Sequence, residues 1–173
     1  MRTTFQIASS ALLALAIGTG VAAETALAAD SSASGAMTAS GASPAAGFTL
    51  HIDAPKHFPG NAKALAHHWC RPAEGGISEC ALFDSDAPNA QLVGVEVVVP
   101  SAMWKTFSAP EQAQWHSHRT QLQKLSPKLP GMSPEEAKKT LASMMDTYGK
   151  VYVLWDPTAS KSPVGQPFVQ IIK

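Results

Sequence analysis

Histidine is the residue type in this chain best suited to chemistry. All six histidines lie between His51 and His118, and four form two clusters, HHWC at His67 to Cys70 and HSH at His116 to His118. Imidazole is the commonest metal ligand and the usual general base near neutral pH. One acid stands out beside them. Glu96 sits in GVEVVV, where a carboxylate facing a core would cost several kcal/mol unless paired or protonated. Spacing limits how these groups combine. In an extended chain His67 and His68 point to opposite faces, so only one can join a given site. On a strand, the two HSH rings share a face. On a helix they lie about 200° apart and cannot chelate one ion together. The helical reading puts His118 on an apolar face with Trp115 and Leu122 and leaves His116 at the surface. With matching strand register Glu96 shares a face with His68, and His118 from a covering helix would complete a ligand set or an acid–base pair. The candidate catalytic residues are therefore Glu96, His68 and His118. The candidate ligands for a divalent transition metal are His67, His68, His116, His118 and Glu96. The plainer alternative has Glu96 facing solvent on an open sheet face and a buried His118 satisfied by its own hydrogen bond.

The elements that must position these groups follow from pattern. Phe48 to Ile52, Lys63 to Arg71 and Ile77 to Asp84 read as strands, with turn chemistry at Glu74, Gly75 and Gly76. Centring that turn near Gly75 sets Cys70 opposite Cys80, Trp69 opposite Ala81 and His68 opposite Leu82. Two cysteines so opposed in an exported protein form a disulfide; the competing reading makes Cys70 a thiolate nucleophile or metal ligand beside His67 and His68. Gln91 to Val99, with five valines, reads as a central strand apolar on both faces apart from Gly94 and Glu96. Two capping boxes, SAPE at Ser108 to Glu111 and SPEE at Ser133 to Glu136, open expected helices. The first carries Trp115, His118, Leu122 and Leu125. The second carries Ala137, Leu141, Met144, Met145 and Tyr148, with Gly149 as its C-cap. Val151 to Trp155 and Phe168 to Ile171 close the pattern as strands. The fold class expected is α+β, a mainly antiparallel sheet of about five strands covered by two or three helices. The four tryptophans are expected to serve the core, with an aromatic ligand pocket as the alternative.

Composition bounds the function. Thirteen basic residues balance thirteen acidic ones over 173 residues, which removes the general electrostatic case for nucleic acid or an anionic membrane. Two cysteines exclude a disulfide-dense miniprotein and a four-cysteine zinc module. GxSxG, HExxH, GxGxxG and P-loop motifs do not occur. The N-terminus has Arg2, a short apolar run from Ala11 to Ile17, and small residues at peptidase-readable positions. Residues 1–28 are therefore read as a cleaved signal peptide of a periplasmic or secreted protein. Their apolar run is too short for a spanning helix, which needs about 20 residues, so no transmembrane segment is expected in the mature protein. Residues 29–47, nearly all Ala, Ser, Gly and Thr, read as a flexible spacer. Residues 48–173 remain as a single domain.

AHHWC (Ala66 to Cys70), ECALFDSD (Glu79 to Asp86), AQLVGVEVVV (Ala90 to Val99), QWHSH (Gln114 to His118), YGKVYVLW (Tyr148 to Trp155) and PVGQPFVQI (Pro163 to Ile171) occur in that order. The series resembles a domain family of unknown function that includes the plant oil-body-associated proteins, and the resemblance spans Phe48 to the C-terminus. It implies a single domain, exported in bacteria and placed on or near lipid droplets in plants, with no established reaction. His67, His68, Cys70, Cys80, Glu96, Trp115, His116 and His118 fall on its motif positions. Two departures stand out. Arg119, Thr120 and Gln121 replace the family's small residue, aromatic and glutamate, and VYVLW lacks the family's histidine between its closing aromatics. The reading favoured is a non-enzymatic binding or structural module of the cell envelope. A small metal-dependent or His/Glu enzyme using Glu96, His68 and His118 is the alternative, and a lipid- or small-molecule-binding domain is a third. A shared solvent-reaching cleft holding the three residues favours the enzyme, whereas separate, individually satisfied positions favour the module.

Overall fold

In the computed structural model, residues 43–173 are described; the expected signal peptide and nearly all of the spacer lie outside the described residues. The last spacer residues, Pro44–Gly47, form a 3-10 turn whose Pro44 carbonyl accepts a hydrogen bond from Arg71. The sheet begins with β1 (Leu50–Ala54), β2 (Ala66–Pro72), β3 (Ser78–Phe83) and β4 (Leu92–Pro100). These form an antiparallel meander in chain order. Gly75 and Gly76, at φ of 71° and 74°, turn β2 into β3, a conformation that glycine adopts without steric cost. The register is the one the turn position dictates: Cys70 faces Cys80, Trp69 faces Ala81 and His68 faces Leu82. Cys70 and Cys80 are joined in a disulfide, so neither is a free nucleophile or thiolate ligand. The outer edge of β1 is covered where Asp53 exchanges backbone hydrogen bonds with Lys128, as edge strands require.

The second half of the chain departs from the expected helices. SAPE does not close as a capping box, and Ser108 makes no side-chain cap bond. Glu111 instead accepts from the Trp115 indole and from Lys150 Nζ, each at 2.8 Å. The helix there, preceded by α1 (Ser101–Trp104), is only the single turn of α2 (Ala109–Gln112). His116–Ser117 then form a two-residue strand, β5, before α3 (His118–Lys124). SPEE does close: Ser133 Oγ accepts from the Glu136 backbone N–H, and Glu136 accepts from the Ser133 backbone N–H. Its helix, α4 (Pro134–Met144), stops earlier than expected. Tyr148 and Gly149 belong to β6 (Thr147–Val153) rather than to a helical stripe and its cap. Ladder bonds to β4 on one side and β5 on the other take the backbone of 147–149 away from helix formation. β7 (Phe168–Gln170) pairs with β6 beside β5.

Among the described residues the class is α+β as expected, with seven antiparallel strands in the order β1-β2-β3-β4-β6-β5, β7 also on β6, and four α-helices. Phe58, Leu82, Val93, Val151 and Val153 are the largest fully buried side chains. Of the tryptophans, only Trp155 is in this core, its indole N–H donating to the Leu92 carbonyl. Trp104 stacks on Tyr148, Trp115 packs against Phe107, and Trp69 is exposed.

Candidate metal centre

β4 inverts the usual pattern. Val95 is exposed, while its neighbour Glu96 is 5% exposed. Strand alternation puts Glu96 on the inner face with His68, though one rung apart: Glu96 pairs with Cys80 and His68 pairs with Leu82. Their side chains cross that diagonal, His68 Nε2 lying 3.3 Å from Glu96 Oε2. From the other side, His116 Nε2 lies 3.3 Å and His118 Nε2 3.4 Å from Glu96 Oε1. His57, from the β1–β2 connection, brings its Nε2 to 3.1 Å from His68 Nε2. All five side chains are buried.

The expected surface position of His116 is corrected by this arrangement. HSH straddles a strand and a helix, so the 200° separation of a continuous helix does not apply, and both rings reach one carboxylate oxygen. The alternative of a solvent-facing Glu96 is excluded by its burial. His67 does not join; it lies on the opposite face, as strand parity requires. His57 was not legible as a ligand, because its connection carries no periodic pattern to set its direction. Gly149 is a residue of β6 and not the expected helix cap. It sits between Val98 and His116 in the sheet, where a methyl group would overlap Glu96 Oε1 and come within 2.8 Å of His116 Nε2. Only glycine leaves room for the carboxylate and imidazole to meet there.

Hydrogen-bond partners fix the protons on three of the rings. His57 Nδ1 is 2.9 Å from the Pro55 carbonyl, and His68 Nδ1 is 2.9 Å from that of Ala66 and 3.0 Å from that of Ile52. Carbonyls only accept, so both Nδ1 atoms carry hydrogen. Thr147 Oγ1 donates to the Met144 carbonyl at 2.7 Å and must therefore accept from His118 Nδ1, 2.6 Å away. In the neutral rings, then, the Nε2 atoms of His57, His68 and His118 all present lone pairs to the cluster. Facing Nε2 atoms at 3.1 Å, beside a carboxylate, make a nest of acceptors that a proton or a metal ion would bridge. Glu96 Oε1 and His116 Nδ1 are buried without a hydrogen-bond partner among the described residues. Burial alone would raise the Glu96 pKa, but the surrounding rings of His116, His118 and His68 outweigh it and hold the carboxyl well below its ordinary range. Burial, followed by the charge of His68, lowers His57 to about 3.

Above the cluster lies a narrow cavity of about 50 Å³, walled by Ile52, Val98, Leu122, Leu125 and Met144. Gln121 also lines it, buried and with its side-chain oxygen unpartnered. The amide thus lines the site, at the position where the resembling family usually has glutamate. The other departure takes nothing from the cluster: Val153 packs in the core and Leu154 faces outward.

A sequence model of the family described as "Protein of unknown function (DUF1264)" matches residues 43–171. The chain belongs to that family. Oil body-associated protein 1B of Arabidopsis thaliana is 30% identical over 107 residues, covering 61% of this chain and 44% of the relative. Oil body-associated protein 2C of Arabidopsis thaliana is 29% identical over 120 residues, covering 68% and 51%. Oil body-associated protein 2A of Zea mays is 29% identical over 128 residues, covering 72% and 48%. The chain spans about half the length of the curated relatives it matches. No solved structure matches it. The family span includes His57, His68, Glu96, His116 and His118.

Proposed function

We propose that this protein is an exported binding module for one divalent transition metal ion, held by Glu96 with histidines from the two pairs that flank it, His57 with His68 and His116 with His118. The observation that carries the reading is a buried carboxylate shared by two triads of ligand atoms, one with His57 and His68 and the other with His116 and His118. The Nδ1–H bonds of His57, His68 and His118 to fixed oxygens are the supports that ligating histidines usually have, setting tautomer and ring direction. Imidazole with carboxylate suits zinc, iron, copper or nickel. Cavity size favours binding over turnover of a bulky substrate. About 50 Å³ holds only a few waters at roughly 10–15 Å³ each, against the roughly 300–1,000 Å³ of ordinary ligand pockets. Export is supported by the leader pattern and by the disulfide, which persists in oxidising compartments.

One preparation tests both parts. The untagged full-length chain, recovered from the periplasmic or secreted fraction, is expected to lack residues 1–28 by mass and to carry about one equivalent of transition metal at the Glu96 centre. Retention of the leader would overturn the export reading. Protein that holds no ion, and gains no thermal stability from zinc, nickel or manganese, would overturn the metal reading.

A second reading rests on a different surface. Trp69, Ala81, Val95 and Tyr152 follow one another across β2, β3, β4 and β6 on the outer face, and Trp69, Val95 and Tyr152 are exposed. Such a row suits an apolar partner, and the relatives' name points to oil bodies. The chain is then expected to float with phospholipid-coated triglyceride droplets, and Tyr152→Glu to weaken flotation at least threefold. Protein remaining in the dense fraction would dismiss this reading.

A further inference from the structure

On the opposite face of the sheet from Glu96, a second set of ligand atoms converges. Asp53 on β1 pairs directly with His67 on β2, and His51 pairs with Trp69, so alternation brings His51, Asp53 and His67 to one face. Asp86, from the β3–β4 connection, closes over them. His51 Nε2 lies 3.1 Å from Asp53 Oδ1 and 2.8 Å from Asp86 Oδ1; His67 Nδ1 lies 2.8 Å from each of the same two oxygens. Two nitrogens and two oxygens thus alternate around one point.

Hydrogen bonding does not account for this arrangement. Each nitrogen has at most one hydrogen, yet each faces two carboxylate oxygens. His51 Nε2, His67 Nδ1 and Asp53 Oδ1 are all buried without a properly directed hydrogen-bond partner among the described residues. Asp53 is only 6% exposed, a costly place for a carboxylate oxygen without a donor. A small cation at the centre would satisfy all four atoms. Ligands about 2.0–2.1 Å from a tetrahedral zinc ion lie roughly 3.3 Å apart, so the observed separations need to open by about half an ångström at most. Asp86 and Trp69 also border an open groove of about 560 Å³, which gives an ion access from solvent.

We propose that His51, Asp53, His67 and Asp86 form a second divalent-metal site of zinc type, separate from the Glu96 centre. Occupied, it ties β1 and β2 to the β3–β4 connection. His51 stacks on Trp69 at 4.4 Å between ring centroids and 9° between planes, so a paramagnetic ion on His51 Nε2 lies close to an indole. That supplies a readout which the Glu96 centre, across the sheet, does not share.

The test is titration of chelator-treated full-length protein with cobalt(II), following Trp69 fluorescence and tetrahedral cobalt absorption, with zinc as competitor. Trp69→Phe identifies the signal from that indole. The site predicts Trp69 quenching, a tetrahedral cobalt band, reversal of both by zinc, and at least a tenfold loss of affinity in Asp86→Asn. Asp86 is exposed, so that variant spares the core; Glu96→Gln is expected to leave the Trp69 response in place. Trp69 fluorescence indifferent to cobalt, or a response unchanged by Asp86→Asn, would overturn the proposal.

Discussion

Glu96→Gln weakens binding of a divalent transition ion at the inner-face site by on the order of 100-fold or more, read by competition against a chelator of known affinity. Removal of a group that only supports a ligand typically costs 10- to 100-fold, and Glu96 is the anionic member of the cluster, within 3.4 Å of three imidazole nitrogens. Glutamine keeps the shape and loses the charge. The same change is also expected to destabilise the metal-free protein at neutral pH, because a carboxyl held below its ordinary range stabilises the folded chain as an anion. In an Asp86→Asn background, which silences the outer-face site, the melting temperature of apo Glu96→Gln is therefore expected to fall below that of the apo parent, while the metal-induced rise disappears. A melting rise as large as the parent's would remove Glu96 from the ligand set.

The second large effect is acid lability of the metal-free fold. His57 has a pKa of about 3 in the folded chain, lowered first by burial and then by His68. In the unfolded chain it returns to about 6.5. Between these values the unfolded state binds one proton more than the native state, so stability rises with pH across that window. The contribution is present above about pH 6.5 and is lost as pH falls toward 3, amounting to roughly 5 kcal/mol at 1.36 kcal/mol per pKa unit. Glu96, held below its ordinary range, acts in the same direction at the acid end: its contribution is lost as the carboxylate protonates. Urea midpoints from pH 7 to pH 4 should therefore fall steeply, and His57→Asn should flatten the slope. A midpoint constant over that range would contradict a neutral, buried His57. Metal binding adds to the slope, since ions compete with protons for the same nitrogens.

The sequence made the first half of the sheet legible because each feature there is local. Gly75 and Gly76 set the turn, the turn set the register, and the register set Cys70 against Cys80 and His68 on the inner face. Glu96 was legible as an anomaly, one acid in a run of valines. What could not be read was anything decided by strand pairing at a distance. Tyr148 and Gly149 continue a helical stripe in sequence, yet β4 and β5 claim their backbone. His116 and His118 are two residues apart, and whether they share a target depends on a break between β5 and α3 that SAPE gave no reason to expect. Glu111 was free to form the capping box but bonds Trp115 and Lys150 instead. His57, His51 and Asp86 enter their clusters from connections or an edge strand, where residue type alone carries the signal. In the second cluster, Asp53 and Asp86 look like ordinary surface acids until β1–β2 pairing sets one beside His67 and the loop folds the other over it.

X-ray absorption at the metal edge tests the Glu96 centre most directly, using Asp86→Asn protein loaded with one equivalent of zinc so that the outer-face site is silenced. The account predicts a first shell of nitrogen and oxygen at about 2.0–2.1 Å, with outer-shell scattering from at least two imidazoles, lost in Glu96→Gln. A sulfur shell, a first shell of water oxygens without imidazole scattering, or failure to retain zinc through dialysis would contradict it.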